Sequence, residues 1–428
     1  MTVLERSRPA SAVLVVVLVM AGACVAQAFG RFTYGVLLPA VRDDMLGSNR
    51  AAGLIGTVNV TAYLVGTVLV ATLSKRITLV WLIRIGLCLS TVGLLLASVA
   101  GNGLALAGAL VLTGLGGAAI WIPSPRVAAS VLPPARRGLA AGLIGMGIGI
   151  GIVFAGQLSD ALRHDHGDAA WRDVYRVEGI VGAVVLVAAF AFLRHREAAP
   201  AVVSVVAVQA VAGPGPDVEP PLRRRGDVAG FGSLRQVNGW IPLTLAYAAF
   251  GFMYLLVFAF LVARLEDDSG FSADQASAMF SLVGLAAVFG GVMLGPLSDR
   301  LGRRTSMVGA FSAFGVSTLA VLAGRQPLVL LGAIGIGLAF SGLPAVIAAY
   351  VVDATDAVTY GPAYSAATLA FGVSQMAAPQ VGGLLADWLG SFTAVFLLSV
   401  AVAATGAIVS ARLPDPRRRA PRSVEPVG

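Results

Sequence analysis

Three arginines, Arg31, Arg84 and Arg126, stand inside long apolar runs of this chain, and its chemistry is best sought there. An ionisable group in such a run costs on the order of 2.5 to 3.5 kcal/mol on insertion scales, so it is retained where it has a task. Gln27, Arg31 and Tyr34 recur at i, i+4 and i+7, which puts them on one face of an α-helix. A guanidinium there offers five donors in a rigid fork that suits a carboxylate or another oxyanion. A second reading stays open, in which Arg31 binds helix-end carbonyls or pairs with Asp43 or Asp44. Arg126, beside Pro125, either lines the mouth of a cavity or snorkels, and Arg84 is expected to snorkel. Asn59 and Tyr63, at i and i+4, supply further hydrogen-bonding groups. Trp121, Tyr247, Tyr254 and Gln375 complete the candidate substrate contacts, with helix packing or an interfacial belt as the alternative for each aromatic.

Other chemistries find no residues. All 22 acids fall in loops, tails or terminal turns of the apolar runs, so no carboxylate is expected in mid-membrane. That removes the usual proton carrier and the natural partner of an organic cation. The loop Arg163-His164-Asp165-His166-Gly167-Asp168 reads as solvated rather than as a metal site, since His195 falls on the other face. Cys24 and Cys88 have no metal-ligand spacing and read as packing residues. The only lysine, Lys75, is followed by Arg76, which excludes a Walker A phosphate loop. No nucleophile, acid/base pair or metal cluster is available for a membrane-embedded enzyme. The expectation is no enzyme, no cofactor and no metal.

The elements that position these residues follow from composition. Of 428 residues, 57% are apolar and 12% charged, about half the charge of a soluble domain. The bilayer is therefore the main solvent. Twelve runs reach spanning length: 11–40, 51–73, 78–100, 104–132, 138–158 and 174–193, then 240–262, 273–297, 305–323, 328–352, 363–385 and 392–413. Retention of the first run argues against a cleaved signal segment. The longest break, with Gly213-Pro214-Gly215-Pro216 and Arg223-Arg224-Arg225, reads as a linker. The expected organisation is an N-terminal six-helix bundle (1–195), a cytoplasmic linker (196–238), a C-terminal six-helix bundle (239–413) and a basic tail (414–428). With both termini inside, twenty arginine and lysine residues face the cytoplasm and seven the outside, the bias of a plasma-membrane protein so oriented. The net charge of +8 thus reflects topology, and nucleic acid is not an expected partner.

The halves repeat one another. Gly66, Leu73, Ser74 and Arg76 align with Gly290, Leu297, Ser298 and Arg300. Gly114, Gly116 and Pro123 align with Gly335, Gly337 and Pro344, and Gly156 and Asp160 with Gly383 and Asp387. Duplicated bundles of this kind are a transporter architecture.

The segment from Gly295-Pro296-Leu297-Ser298-Asp299-Arg300 through Leu301-Gly302-Arg303-Arg304 resembles the loop signature of the major facilitator superfamily, G-x-L-x-D-R-x-G-R-R. In the first half the signature has decayed, with Lys75 in place of the acid and Thr78 in place of the turn glycine. Pro133-Pro134-Ala135-Arg136-Arg137-Gly138 before a glycine-rich fifth span extends the resemblance, as does Ala378-Pro379-Gln380 in the eleventh. The antiporter Gly-Pro pair is replaced by Gly151-Ile152, and the arginine of many proton-coupled exporters is absent near Leu110. Within the superfamily, Gly30-Arg31-Phe32-Thr33-Tyr34-Gly35 and Leu38-Pro39-Ala40 resemble a bacterial branch labelled YbfB/YjiJ-like.

The resemblance implies an all-α integral membrane fold of twelve transmembrane helices in two pseudo-symmetric six-helix bundles. It implies a secondary transporter working by alternating access, with Asp299, Arg300, Gly302, Arg303 and Arg304 as a gate; Asp353 and Asp356 read as further gate or cap residues. A small organic anion or metabolite suits the arginines. Export of neutral or amphipathic compounds, and a solute sensor that does not transport, are the alternatives. The expected partners are the substrate, a coupling ion and the lipid bilayer, and the expected functional unit is a monomer.

Overall fold

Polar residues at the breaks start the helices. Ser48, Thr78 and Asn102 are extended, and each side chain accepts a hydrogen bond from the amide three residues on, at 3.2, 3.4 and 2.9 Å. The computed structural model describes residues 12–74, 76–132, 137–193, 231–355 and 359–414. In the first half these form α1 (Ala12–Leu46), α2 (Asn49–Leu73), α3 (Leu79–Ala97), α4 (Gly103–Ser130), α5 (Arg137–His166) and α6 (Trp171–Phe192). The second half comprises α7 (Trp240–Asp268), α8 (Ala273–Leu301), α9 (Arg303–Leu322), α10 (Gln326–Ala354), α11 (Tyr360–Leu389) and α12 (Thr393–Ala411). Eleven of the helices are long and apolar enough to cross a membrane by length and composition. The twelfth, α11, is as long at 30 residues but more polar, carrying Tyr360, Gln375 and Gln380.

Within the first half α4 packs on α2 and α3, and α3 on α6; within the second, α10 packs on α8 and α9, and α7 on α11 and α12. The most extensive packing between the halves is of α1 with α7, α2 with α11, and α5 with α8. The glycines of α5 explain the last pair. A Cβ on Gly149 would lie 2.8 Å from the Gly284 carbonyl, and one on Gly156 equally close to that of Ser277. Only a bare backbone allows this approach, as in other membrane helix pairs.

Several boundaries differ from expectation. The first span continues past Ala40 to Leu46, and α6 begins at Trp171 after a short 3-10 turn, not at Val174. The linker's last residues, Phe231–Gln236, form a short helix that buries Leu234. Linker residues 196–230, the tail beyond Pro414, Lys75 and Asp356 lie outside the described residues. The repeated proline acts asymmetrically: the fourth span breaks at Ile122–Pro123, whereas Pro344 stays inside a continuous α10. Pro125 follows Pro123 two residues on, so this site lacks two amide donors and the corresponding site at Pro344 only one.

Candidate functional site

A cavity lies between the halves. Gln27, Arg31, Tyr63, Trp121 and Met146 line it from the first half, and Phe250, Tyr254, Phe340 and Phe371 from the second. Its wall extends along α5, α8 and α10 to Gly142, Val292 and Pro344, toward the end that carries Asp299. At the other end Phe32, Phe258 and Phe340 meet with ring centroids 4.5 to 5.8 Å apart and close it. The aromatic plug draws on three helices, α1, α7 and α10.

Among the described residues Arg31 is the cation in this wall. It donates to the Tyr254 hydroxyl at 3.3 Å and to the Gln375 side-chain oxygen, both on the other half. Its guanidinium also lies 5.2 Å from the centre of the Tyr63 ring. Among the described residues no carboxylate pairs with it. The reading in which Arg31 binds Asp43 or Asp44 is excluded, because Asp43 binds Arg42, and Asp44 accepts from Arg172 and the Trp171 indole. Gln27 lines the cavity, and its buried amide nitrogen has no hydrogen-bond partner.

The shared face of Gln27, Arg31 and Tyr34 needs correction. Residues Cys24–Phe32 are π-helical, and the wider i→i+5 turns rotate the chain less per residue. Gln27 and Arg31 stay together. Tyr34 turns away, lines a smaller cavity and donates to the Ala52 carbonyl at 2.9 Å. Asn59 is likewise a brace rather than a contact in the main cavity. Its amide lies 3.0 Å from the Gly30 carbonyl, which Thr113 also meets at 2.9 Å, and 2.9 Å from the Leu110 carbonyl. A π segment displaces carbonyls from their usual partners, and Asn59 and Thr113 satisfy one of them.

Three other candidates leave the site. Tyr247 is fully buried, shares a 3.1 Å hydrogen bond with Tyr364 and stacks on Phe371. Arg126 lies beyond the proline break with an exposed side chain. Arg84 does not snorkel freely but donates to the carbonyls of Phe190 and Leu193, at 3.3 and 2.6 Å, closing the C-terminus of α6.

The expectation of no carboxylate inside the spans is overturned by Glu178. Because α6 starts at Trp171, Glu178 sits about 10 Å along the helix from its start. It is 0% exposed and accepts 2.6 Å from the Thr33 hydroxyl. A helix start placed by the amphipathic Trp171-Arg172-Asp173, instead of by apolar content, is the signal that finds it.

Charges also hold the closed end together. Arg163 is buried and forms ion pairs with Asp168 at 2.6 Å and Glu266 at 2.8 Å, while Arg42 pairs with Asp267. Asp387 of α11 accepts from the first amides of α2, at Asn49 (2.9 Å) and Arg50 (2.7 Å), an acid placed at the positive end of a helix of the other half. Arg163 and its loop are therefore not simply solvated, although His164, Asp165 and His166 are exposed. Backbones touch here too: a Cβ on Gly53 would collide with the Pro379 carbonyl. Gly53→Val is expected to part this end, since overpacking costs about 1–3 kcal/mol. Hydrogen–deuterium exchange across 49–57 and 376–383 should then accelerate by roughly tenfold or more.

At the Asp299 end the charges group within one half. Arg303 binds Asp299 at 2.6 Å, Asp353 at 2.9 Å and the Ser298 hydroxyl at 2.5 Å, and Arg300 and Arg304 are exposed. Gly302 joins α8 to α9 at φ +90°, a conformation that side-chain-bearing residues rarely adopt. Asp299→Asn is expected to slow turnover by roughly fivefold at most, with substrate affinity unchanged, because an exposed pair is worth up to ~1 kcal/mol. Flux kinetics on the reconstituted protein check this.

Two six-helix halves around a central cavity that extends toward one end define a membrane transporter. The family model of the Major Facilitator Superfamily matches residues 20–263 and 243–427, and the chain belongs to that superfamily. A curated relative, Protein ZINC INDUCED FACILITATOR-LIKE 1 of Arabidopsis thaliana, is 29% identical over 148 residues, which span 34% of this chain and 30% of the relative. Among solved structures, a bacterial homologue of the human lysosomal transporter Spinster is similar in its inward-facing unoccupied form, with a TM-score of 0.70 and 17% identity, covering 94% of this chain and 98% of that one. Its inward-facing occupied form has the same TM-score at 15% identity, covering 94% and 97%. At these identities the likeness concerns the fold.

Proposed function

We infer that this protein is a secondary active transporter of the plasma membrane that moves a small organic anion by alternating access. The carrying observation is Arg31: a guanidinium in the cavity wall whose hydrogen-bond partners, Tyr254 and Gln375, are both neutral. Its charge is left for a ligand, and desolvation strengthens its pull on an oxyanion. The arginine bias supports a cytoplasmic position for both termini and the Asp299 end. The closed end then faces outward, and the two halves rock about the cavity to exchange the open side.

The rings of Phe250, Phe340, Phe371 and Trp121 favour an apolar body on that anion. They also support the second reading, a carrier of neutral amphipathic compounds. Flux into proteoliposomes separates the two. Matched pairs of a carboxylate and its amide, each on the same aromatic or aliphatic body, should show transport of the carboxylate. Equal transport of the amide favours the second reading, and binding without flux in either case indicates a sensor.

A further inference from the structure

We propose that Glu178 is a proton-binding site that couples proton uptake and release to movement of the π-helical segment Cys24–Phe32, making the proton the coupling ion of the cycle. The proposal rests on the transporter reading and adds to it a site on the opposite side of the segment that carries Arg31.

Glu178 is fully buried, and only one of its oxygens is engaged: Oε1 meets the Thr33 hydroxyl, while Oε2 is buried with no hydrogen-bond partner. An ionised carboxylate so placed leaves a charge without compensation in an apolar wall, and such groups neutralise instead. The hydrogen bonds favour the same state. Thr33 has one hydroxyl proton but two acceptors, Glu178 at 2.6 Å and the Ala28 carbonyl at 3.3 Å. With Glu178 ionised, one of these bonds goes unmade. With Glu178 protonated, its hydroxyl donates to Thr33 and Thr33 donates to Ala28, so both are made.

Among the described residues no cation pairs with the carboxyl. The titratable groups near it are Cys24 from α1 and Tyr175 from α6, with Tyr34 behind Tyr175. Thr91 of α3, against Gly182 one turn further along α6, adds a buried hydroxyl that also lacks a partner. The described arginine side chains of α1, α3, α5 and α6 are occupied elsewhere: Arg31 by Tyr254 and Gln375, Arg42 by Asp43 and Asp267, Arg84 by two carbonyls, Arg163 by Asp168 and Glu266, Arg172 by Asp44 and Arg176 by Asp173.

The coupling follows from the position of Thr33, two residues beyond Arg31 and directly after the π segment. Loss of the proton to solvent, as the site gains access to water, leaves a carboxylate that draws the Thr33 proton away from Ala28. The Ala28 carbonyl, then left with the Thr33 amide N–H alone, lies on the segment that holds Gln27 and Arg31 in the cavity wall. Proton occupancy on one side thereby biases the position of the anion-binding group on the other.

The test needs no transported solute. In lipid-reconstituted full-length protein, the infrared carbonyl stretch of a protonated carboxylic acid should be present at neutral pH and absent from Glu178→Gln. Spin labels at Asp165→Cys and Trp388→Cys, with Cys24→Ala and Cys88→Ala, should report a closed-end distance distribution that changes with pH. In the same background Glu178→Gln, whose amide is a permanent neutral donor to Thr33, should hold the acidic distribution at every pH. Lack of the band in the unsubstituted protein, its persistence in Glu178→Gln, or an unaltered pH response in that variant overturns the proposal. If Glu178→Gln does not fold, Thr33→Val serves instead, since it keeps the carboxyl and must shift the band; an unmoved band overturns the assignment. Failure of the anion reading would appear in flux and leave these signals intact.

Discussion

Arg31→Ala should weaken binding of a transported organic anion by roughly 10- to 100-fold, because a hydrogen bond to a charged group is worth about 1.5–3 kcal/mol. The substitution removes the cavity's cation and leaves Tyr254 and Gln375, 3% and 1% exposed, without their donor. A general loss of stability therefore accompanies the variant and has to be separated from lost recognition. Arg31→Lys makes the separation: it keeps the charge but loses the planar fork, so affinity should fall to an intermediate value while the contact between halves is partly kept. Ligand-induced thermal shifts with the carboxylate and amide pairs provide the measurement. A selective loss for carboxylates identifies Arg31 as the anion anchor, and wild-type affinity in Arg31→Ala would end its role.

Why Arg31 was legible in the sequence and Glu178 was not is a matter of how each is surrounded. Arg31 has apolar residues on both sides, so its cost in a bilayer is visible without coordinates. Glu178 follows Arg172, Asp173 and Arg176, and a span bounded by apolar content leaves it in the end turn. The helix nonetheless begins at Trp171, because Trp171 and Arg172 bind Asp44 and draw this polar turn against α1. The twelve runs and their repeat were readable because length and apolarity are local properties. The π segment was not, since it depends on Asn59 and Thr113, two other helices, taking up the Gly30 carbonyl. Tyr34 and Asn59 were misplaced for that one reason. Gating charges divide in the same way: Asp299 and Arg303 are four residues apart and pair within one helix junction, whereas the partners at the closed end come together only when the halves meet.

Those closed-end pairs carry the second large expected effect. Arg163→Met should shift the carrier away from the state described here, by about 2 kcal/mol or some thirtyfold in population. Removing one member of a buried pair costs about 3–5 kcal/mol, and the Arg163 side chain is 1% exposed. Two features reduce the figure: Glu266 is 14% exposed and can rehydrate, and Asp168, at 62%, is already solvated. Glu266→Gln should cost less, since Arg163 keeps Asp168 and the amide still accepts a hydrogen bond. The pair Arg42–Asp267, with side chains 12% and 31% exposed, should matter less again and respond more to salt. Spin-label distances across the closed end give the populations, and a double-mutant cycle of Arg163→Met with Glu266→Gln isolates the pair from the reorganisation around it. Flux adds a separate constraint. Alternating access requires the end to open as well as close, so a closed state made too stable by this pair limits turnover. Arg163→Met should then raise the rate of substrate exchange if opening is the slow step and lower it if closure is, which makes the sign of the change a direct reading of which half of the cycle the buried ion pair controls.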